Sequence, residues 1–382
     1  MNRKWFIYSL LLFTTIKVFS QEVDPKSADH PFLFELSYVG DNASNLSGGI
    51  KKGYNYMGYV AVHLTLDTEK AGMWKGGRLF VNAANTHGGM ASANLYGDMQ
   101  VVSNIEAGNH TYLQELWYSQ VLNKVELIAG LQDMNVELIN TMYGSEFLNS
   151  SFGMVPTLSL NFNAPIFPLT TIGITEKWNI SDKTTWINAL YDGNPTPFED
   201  NPYNLKWQLK RGDGILAVSE LQQRLSLHHL PGTVKLGAFS RNHFLEETLG
   251  KTIPDSLNHS QWGMYAIVDQ EVWHFEKQSL GAFLQVSYSP STSVTADFYS
   301  GVGIHATGLF TRERNDVFGL AVAYTHLPKI SSSETILELT WNKPLGEYFF
   351  IQPDIQYIIH PSGKKSNLPN ALAAILRFGF NF

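Results

Sequence analysis

Eight side chains in this sequence have the chemistry to handle a polar, uncharged solute: Arg78, Glu106, Glu115, Trp117, Asp133, Asn135, Asp354 and Arg377. Carboxylates, an amide and guanidinium groups can exchange hydrogen bonds with hydroxyls and so replace the hydration of a polyhydroxyl molecule, while an indole face stacks on its C–H groups. Such contacts must stay weak enough for the solute to leave again. The same residues do not make a metal site. Asp133, Asn135 and Glu137 have the opening spacing of a calcium loop, but the Gly and the later Glu that such a loop requires are missing. A strand-end turn held by side-chain hydrogen bonds is the reading they favour. Nor is a catalytic centre in view, because Gly303-Ile-His305-Ala-Thr-Gly308 has no Ser motif to partner it. With no cysteine in the chain, thiolate chemistry and disulfides are excluded as well. No metal, cofactor or enzymatic activity is expected.

Residues so far apart can act together only if the chain brings them to one surface, and its hydropathy pattern says how. In the last stretch, Leu372, Ala374, Leu376, Phe378, Phe380 and Phe382 fall on one parity, with Arg377, Gly379 and Asn381 on the other. A strand there has an apolar and a polar face and ends on an aromatic residue, the pattern of a barrel strand in a bacterial outer membrane. From Phe32 onward about 16 such segments can be marked, separated by turn signals, with no helical period of comparable length. Phe32, Phe34, Leu36 and Tyr38 would face lipid, with Leu33, Glu35 and Ser37 inward; Tyr54, Tyr56, Val60, Val62, Leu64 and Leu66 oppose Asn55, Tyr59, His63, Thr65 and Asp67. By the same parity Arg78, Glu115, Trp117, Asp354 and Arg377 point inward. The expected fold is all-β: a transmembrane antiparallel β-barrel of about 16 strands.

Between the segments the connections fall into two sets. One set is mostly short: 67–77, 123–124, 179–183, 228–232, 275–278, 307–315 and 342–347. The alternate set is long: 40–53, 86–110, 134–168, 192–214 and 240–261. That asymmetry is the one outer-membrane barrels have, with the long loops outside the cell. Glu106 lies in one long loop, and Asp133 and Asn135 open another. Loops of this size are expected to fold into the lumen and narrow it. The phase also predicts that Arg is costly at lipid-facing Leu339 or Leu376 and milder at Thr340 or Ile375.

At the other end, Arg3 and Lys4 precede an apolar run from Trp5 to Ile16, followed by Val18, Phe19 and Ser20. This is the layout of an export signal, too short to span a bilayer as a helix. The predicted division is a signal peptide at 1–20, a short periplasmic leader at 21–31 and a barrel at 32–382. Removing 1–20 leaves 24 basic residues against 34 acidic, a net charge of −10. So acidic a chain is a poor nucleic-acid binder and a poor anion channel.

Several strings carry a resemblance: Trp74-Lys-Gly-Gly77; Gly97-Asp98 with Ser103-Asn-Ile-Glu-Ala107; Glu115-Leu-Trp117; Gly130-Leu-Gln-Asp133 with Asn135 and Glu137; 147–153; 164–168; and Pro353-Asp-Ile-Gln-Tyr-Ile358. In this order they resemble the carbohydrate-selective porin family of the OprB type, from about Gly58 to the C-terminus, though Asp192 to Arg314 adds little. The resemblance implies a 16-stranded barrel in the outer membrane of a Gram-negative bacterium that passes mono- or small oligosaccharides by facilitated diffusion. Where the family commonly has Asn-Pro-Gly-Gly, this chain has His360-Pro-Ser-Gly363, a change at the outer mouth. The partners expected are carbohydrate solutes, outer-membrane lipid and lipopolysaccharide, the barrel-assembly machinery through the strand ending in Phe382, and further copies of the chain in a homotrimer. The competing readings are a non-selective or a structural and adhesive barrel and, behind them, an outer-membrane hydrolase.

Overall fold

The computed structural model describes residues 30–209, 212–242, 261–290, 294–309 and 316–382. The expected signal peptide and nearly all of the leader lie outside the described residues.

The first eight strands are β1 (Phe32–Ser47), β2 (Gly53–Asp67), β3 (Gly77–Gly88), β4 (His110–Leu122), β5 (Val125–Gln132), β6 (Thr171–Asn179), β7 (Thr184–Asp192) and β8 (Ile215–Leu227). They are followed by β9 (Leu230–Asn242), β10 (Gln261–Phe275), β11 (Gln278–Tyr288), β12 (Phe298–Thr307), β13 (Val317–Leu327), β14 (Ser332–Leu345), β15 (Phe349–Ile359) and β16 (Ala371–Asn381). Each pairs antiparallel with its sequence neighbours, and β16 returns to β1, so the 16 strands form a closed barrel. Closure runs to the last residue: the Phe382 N–H donates to the Leu36 carbonyl at 2.9 Å, and the Leu36 N–H to the Phe382 carbonyl at 3.0 Å. Each strand is thus paired on both sides around the closed wall, which is what a spanning sheet requires.

The alternation of the sequence becomes the two faces of this wall. Phe32, Phe34, Leu64, Leu79, Leu127, Leu339, Ile355 and Leu376 are exposed on the outside, while Ser37, Asn82, Glu338 and Gln356 are buried on the inside. One expected boundary is wrong. Gly40 does not open a long loop; β1 runs on to Ser47, and only 48–52 connect it to β2. Gly40 faces outward, where a Cβ would lie 2.5 Å from the Tyr56 hydroxyl and 2.9 Å from the Phe378 ring. The glycine makes room for aromatic rings laid over the sheet, a use that sequence alone cannot tell from a turn.

Short connections such as 123–124, 228–229 and 276–277 lie at one end of the barrel, and 89–109, 133–170 and 193–214 at the other. The longest of these, 133–170, folds inside. It carries three four-residue helices, α1 (Met134–Glu137), α2 (Ser150–Gly153) and α3 (Pro156–Ser159). Its Leu138, Ile139, Phe147, Phe152 and Leu158 join Phe239, Tyr265, Phe283 and Ile336 of the wall in one apolar cluster. Glycines admit the closest rings: a Cβ at Gly281 would sit 2.3 Å from Tyr143, and one at Gly319 would sit 2.7 Å from Phe147. The inner face is therefore packed rather than wet along much of β8–β16. Thr340 and Ile375 are buried there, so the expectation that Arg would be mild at these two positions does not hold.

Candidate functional site

On the other wall, buried and part-exposed inward side chains stand side by side. β3 and β4 pair with Arg78 beside Ser119, Phe80 beside Trp117 and Asn82 beside Glu115. Alternation carries all three pairs inward, one above the other along the strands. Phe80 and Trp117 stack with ring centroids 4.9 Å apart and planes 26° off parallel. Glu115 is buried, and it orients the indole: its Oε1 accepts from the Trp117 ring N–H at 3.2 Å and its Oε2 from the Asn82 amide at 3.3 Å. Below the rings, toward the short-turn end, Arg78 is part-exposed with Asp67 and Ser119 as cross-strand neighbours. His63 of β2 packs against Phe80 at 5.4 Å, with Glu35 of β1 at 3.9 Å. Around the wall, Lys177 of β6 bonds Glu137 at 2.7 Å and Glu126 of β5 at 3.5 Å. Phe80, Asn82, Glu115 and Ser119 are buried in this strip, while Arg78, Trp117 and His63 are part-exposed, so an accessible indole face lies between accessible polar groups.

Opposite the strip, single carboxylates on the wall hold the inserted loops by their backbone. Glu220 accepts from the Ile139 N–H at 2.9 Å; Asp269 takes the Thr141 hydroxyl at 2.5 Å and the Met142 and Tyr143 N–H groups at 3.1 Å. Glu338 accepts from Leu148 at 2.5 Å and Asn149 at 3.1 Å, and Glu334 from Met99 and Gln100 of the 89–109 loop at 3.0 and 2.9 Å. Lys235 caps the carbonyl of Asn140 at 2.7 Å. A carboxylate that accepts several N–H bonds fixes a loop as a helix cap fixes a turn.

The eight sequence candidates divide accordingly. Arg78, Glu115 and Trp117 share the strip. Glu106 stays within its own loop, accepting from the Ser92 N–H at 3.0 Å. Asp133 caps α1 through the Asn135 N–H at 2.9 Å and ties the far end of the same loop through the Phe167 N–H at 3.0 Å, a strand-end turn held by side-chain hydrogen bonds. Asn135 donates to the carbonyls of Leu138 and Gly153. Arg377 is buried in a two-pronged pair with Asp41, both bonds 2.8 Å, and reaches Asn104 of the 89–109 loop at 2.7 Å. Asp354 is buried beside Gln356. Parity was correct for Asp354 and Arg377, but a loop covers them. Burial pushes the loop carboxyls upward, Asp98 and Asp133 to about 6 and Glu106 to about 7. Sequence reasoning missed Phe80, an aromatic residue on the polar parity, and the clamp acids Glu220, Asp269 and Glu334, each on an inward position.

A family profile described as "Carbohydrate-selective porin, OprB family" matches residues 51–382. Porin B of Pseudomonas aeruginosa is 22% identical over an alignment covering 89% of this chain and 85% of that protein. Among solved structures, the high-pH structure of OprB from Pseudomonas putida superposes with a TM-score of 0.81 at 20% identity, covering 94% of this chain and 96% of that one. The low-pH structure of the same protein gives 0.60 at 17% identity, over 97% and 100%. Both likenesses concern the fold.

Proposed function

The chain belongs to the carbohydrate-selective porin family, OprB, and is a carbohydrate porin of the bacterial outer membrane; from that premise we propose that sugars cross it along the inner strip of β1–β6. The observation that carries this route is the Phe80–Trp117 stack, oriented by Glu115 and flanked by Arg78. A pyranose has apolar C–H faces and a hydroxylated rim, so a ring pair with charged and amide groups at its ends can take both parts of the molecule at once. Each contact exchanges one hydrogen bond for another and costs little to break, as facilitated diffusion demands. Glu115 acts through the indole it positions, whereas Arg78 and Trp117 meet the solute. Glu106, Asp133, Asn135 and Arg377 keep the inserted loops in place and so set how much of the lumen is left, while Asp354 bonds within the wall beneath them.

Single-channel recording in planar bilayers tests the route. Arg78→Ala should weaken the block of ion current by glucose and shift the channel further toward cations, since a local positive charge leaves an acidic lumen. Trp117→Ala should weaken the sugar block without changing ion preference. Lys329→Ala, in the distant 328–331 turn, should do neither. Unchanged sugar response in both lumen variants would remove the strip from the solute path. Export as read from the sequence adds that protein recovered from the membrane starts at Gln21, which N-terminal mass spectrometry can check.

A further inference from the structure

On the long-loop side of the barrel, residues 203–209 form an exposed apolar run. It begins where the wall is incomplete. β5 pairs with β4 only below Leu116↔Leu131, and with β6 only below Gln132↔Thr171, because the chain turns into the lumen at Asp133. The upper part of β4, still paired to β3 through Thr111↔Asn85 and Leu113↔Ala83, has lost its neighbour there.

The 193–214 connection takes up that place. Phe198 lies flat on His110 at 4.0 Å and edge-on to Tyr112 at 4.9 Å, on the inner side. The chain then reaches the open flank of β4, where the Tyr203 carbonyl accepts from the Leu113 N–H at 3.1 Å. Asn204, in a left-handed conformation with φ of 50°, closes the corner: its amide donates to the carbonyls of Leu113 at 3.2 Å and Thr170 at 3.3 Å and to the Thr170 hydroxyl at 3.0 Å. The Asn201 side chain accepts from Leu205 and Lys206 N–H at 3.0 and 3.1 Å. So firmly tied a corner still leaves Tyr203, Leu205, Trp207 and Leu209 exposed by 62, 61, 41 and 71%.

We infer that 203–209 is a membrane-contact segment that rests against the acyl chains of the outer leaflet. Two features identify that occupant. The run is tied to Thr170, and two and four residues further on the lipid-facing row of β6 starts with Ile172 and the exposed Ile174, so the apolar belt of the barrel continues onto it without a break. Its composition is that of a membrane interface: Tyr and Trp with polar tips, leucines, and an exposed Lys206 whose stem can lie along the chains while its ammonium stays at phosphate level. In water the same residues would form an exposed apolar patch of the kind soluble surfaces avoid. Anchored there, the segment covers the notch above β5 from the lipid side.

The chain has no cysteine, so Leu205→Cys, Leu209→Cys and, as an aqueous control, Lys364→Cys can each carry one environment-sensitive fluorophore on the full-length protein. The vesicles are phosphatidylcholine and phosphatidylglycerol containing nitroxide lipids, with iodide as the aqueous quencher. Nitroxide lipid should quench the probes at 205 and 209 several-fold more than iodide does, and the order should reverse at 364. Asn204→Ala, judged folded by its sugar-dependent current, should move the 205 probe toward iodide. Stronger quenching by iodide at 205 and 209 would put the segment in water and overturn the inference. Protection from both quenchers would overturn it as well, in favour of a contact with a second copy.

Discussion

Among the carboxyls of the long loops, Glu106 is raised furthest into the working range of a channel. Burial raises its carboxyl to about 7, while the Ser92 backbone bond pulls the other way. Because the folded value lies above that of the unfolded chain, the neutral form favours folding; that contribution is present at low pH and fades as pH rises through about 7. Above that point the loop gains a negative charge. Cation preference, read from reversal potentials in a salt gradient, should climb between pH 6 and 8, and thermal unfolding should move down from about pH 4.5 to about 7, the span between the unfolded and folded values. Glu106→Gln keeps an acceptor for the Ser92 N–H and should make both curves shallower, leaving the part that the other buried carboxyls, Asp98 and Asp133 among them, supply. An unchanged slope in the variant would acquit Glu106. At this scale the sequence was legible wherever side-chain direction alone decides, as for Arg78, Glu115 and Trp117. It was not legible for Arg377 and Asp354, whose inward direction is overridden by a loop that starts more than 200 residues away and buries them.

The 133–170 loop is the element that turns a wide barrel into a narrow one, and it is held by charge-assisted bonds more than by helix propensity. Hydrogen bonds to charged groups contribute about 1.5–3 kcal/mol each, and leaving their partners buried and unpaired costs a similar amount. Asp269 takes three of them at Thr141, Met142 and Tyr143. Asp269→Ala should therefore free the middle of the loop while β9–β11 stay paired. Larger single-channel conductance, entry of trisaccharides in liposome swelling and new protease cuts between 138 and 147 are the expected signs, with heat-resistant migration of the barrel kept. Conductance and size limit equal to those of the unchanged protein would mean that the apolar packing of Phe147 and Phe152 suffices without the clamp. Strands could be read from the sequence because a period of two over ten or more residues is hard to imitate. Helices of four residues offer no period at all, and Gly40 looked like a turn because a glycine under an aromatic ring has the same letter.

At the scale of the molecule, the barrel has inverted the arrangement of a soluble protein on one face and reproduced it on the other. Outside, apolar side chains meet lipid; inside, much of the wall and the inserted loop form a buried cluster, and inward residues toward the short-turn end of β1–β6, Glu35, His63, Thr65, Arg78 and Trp117, stay part-exposed. The outside was legible from alternation and from the terminal aromatic strand, because lipid imposes one rule on every outward position. The inside was not, since whether an inward residue meets water or a loop depends on packing between distant segments. Arg substitutions can separate the three environments. At Leu64 or Leu376, exposed to lipid, Arg should cost ~2–4 kcal/mol if near the midplane, in urea titrations of the protein folding into liposomes. At Ile375, one residue from Leu376 but buried against the loop, it should cost at least as much, through an unpaired buried charge. At Thr65, one residue from Leu64 and part-exposed on the wet strip, the same change should be close to neutral. A large loss at Thr65 together with tolerance at Leu64 would mean that the faces of β2 are reversed, and with them the strip on which the solute path depends.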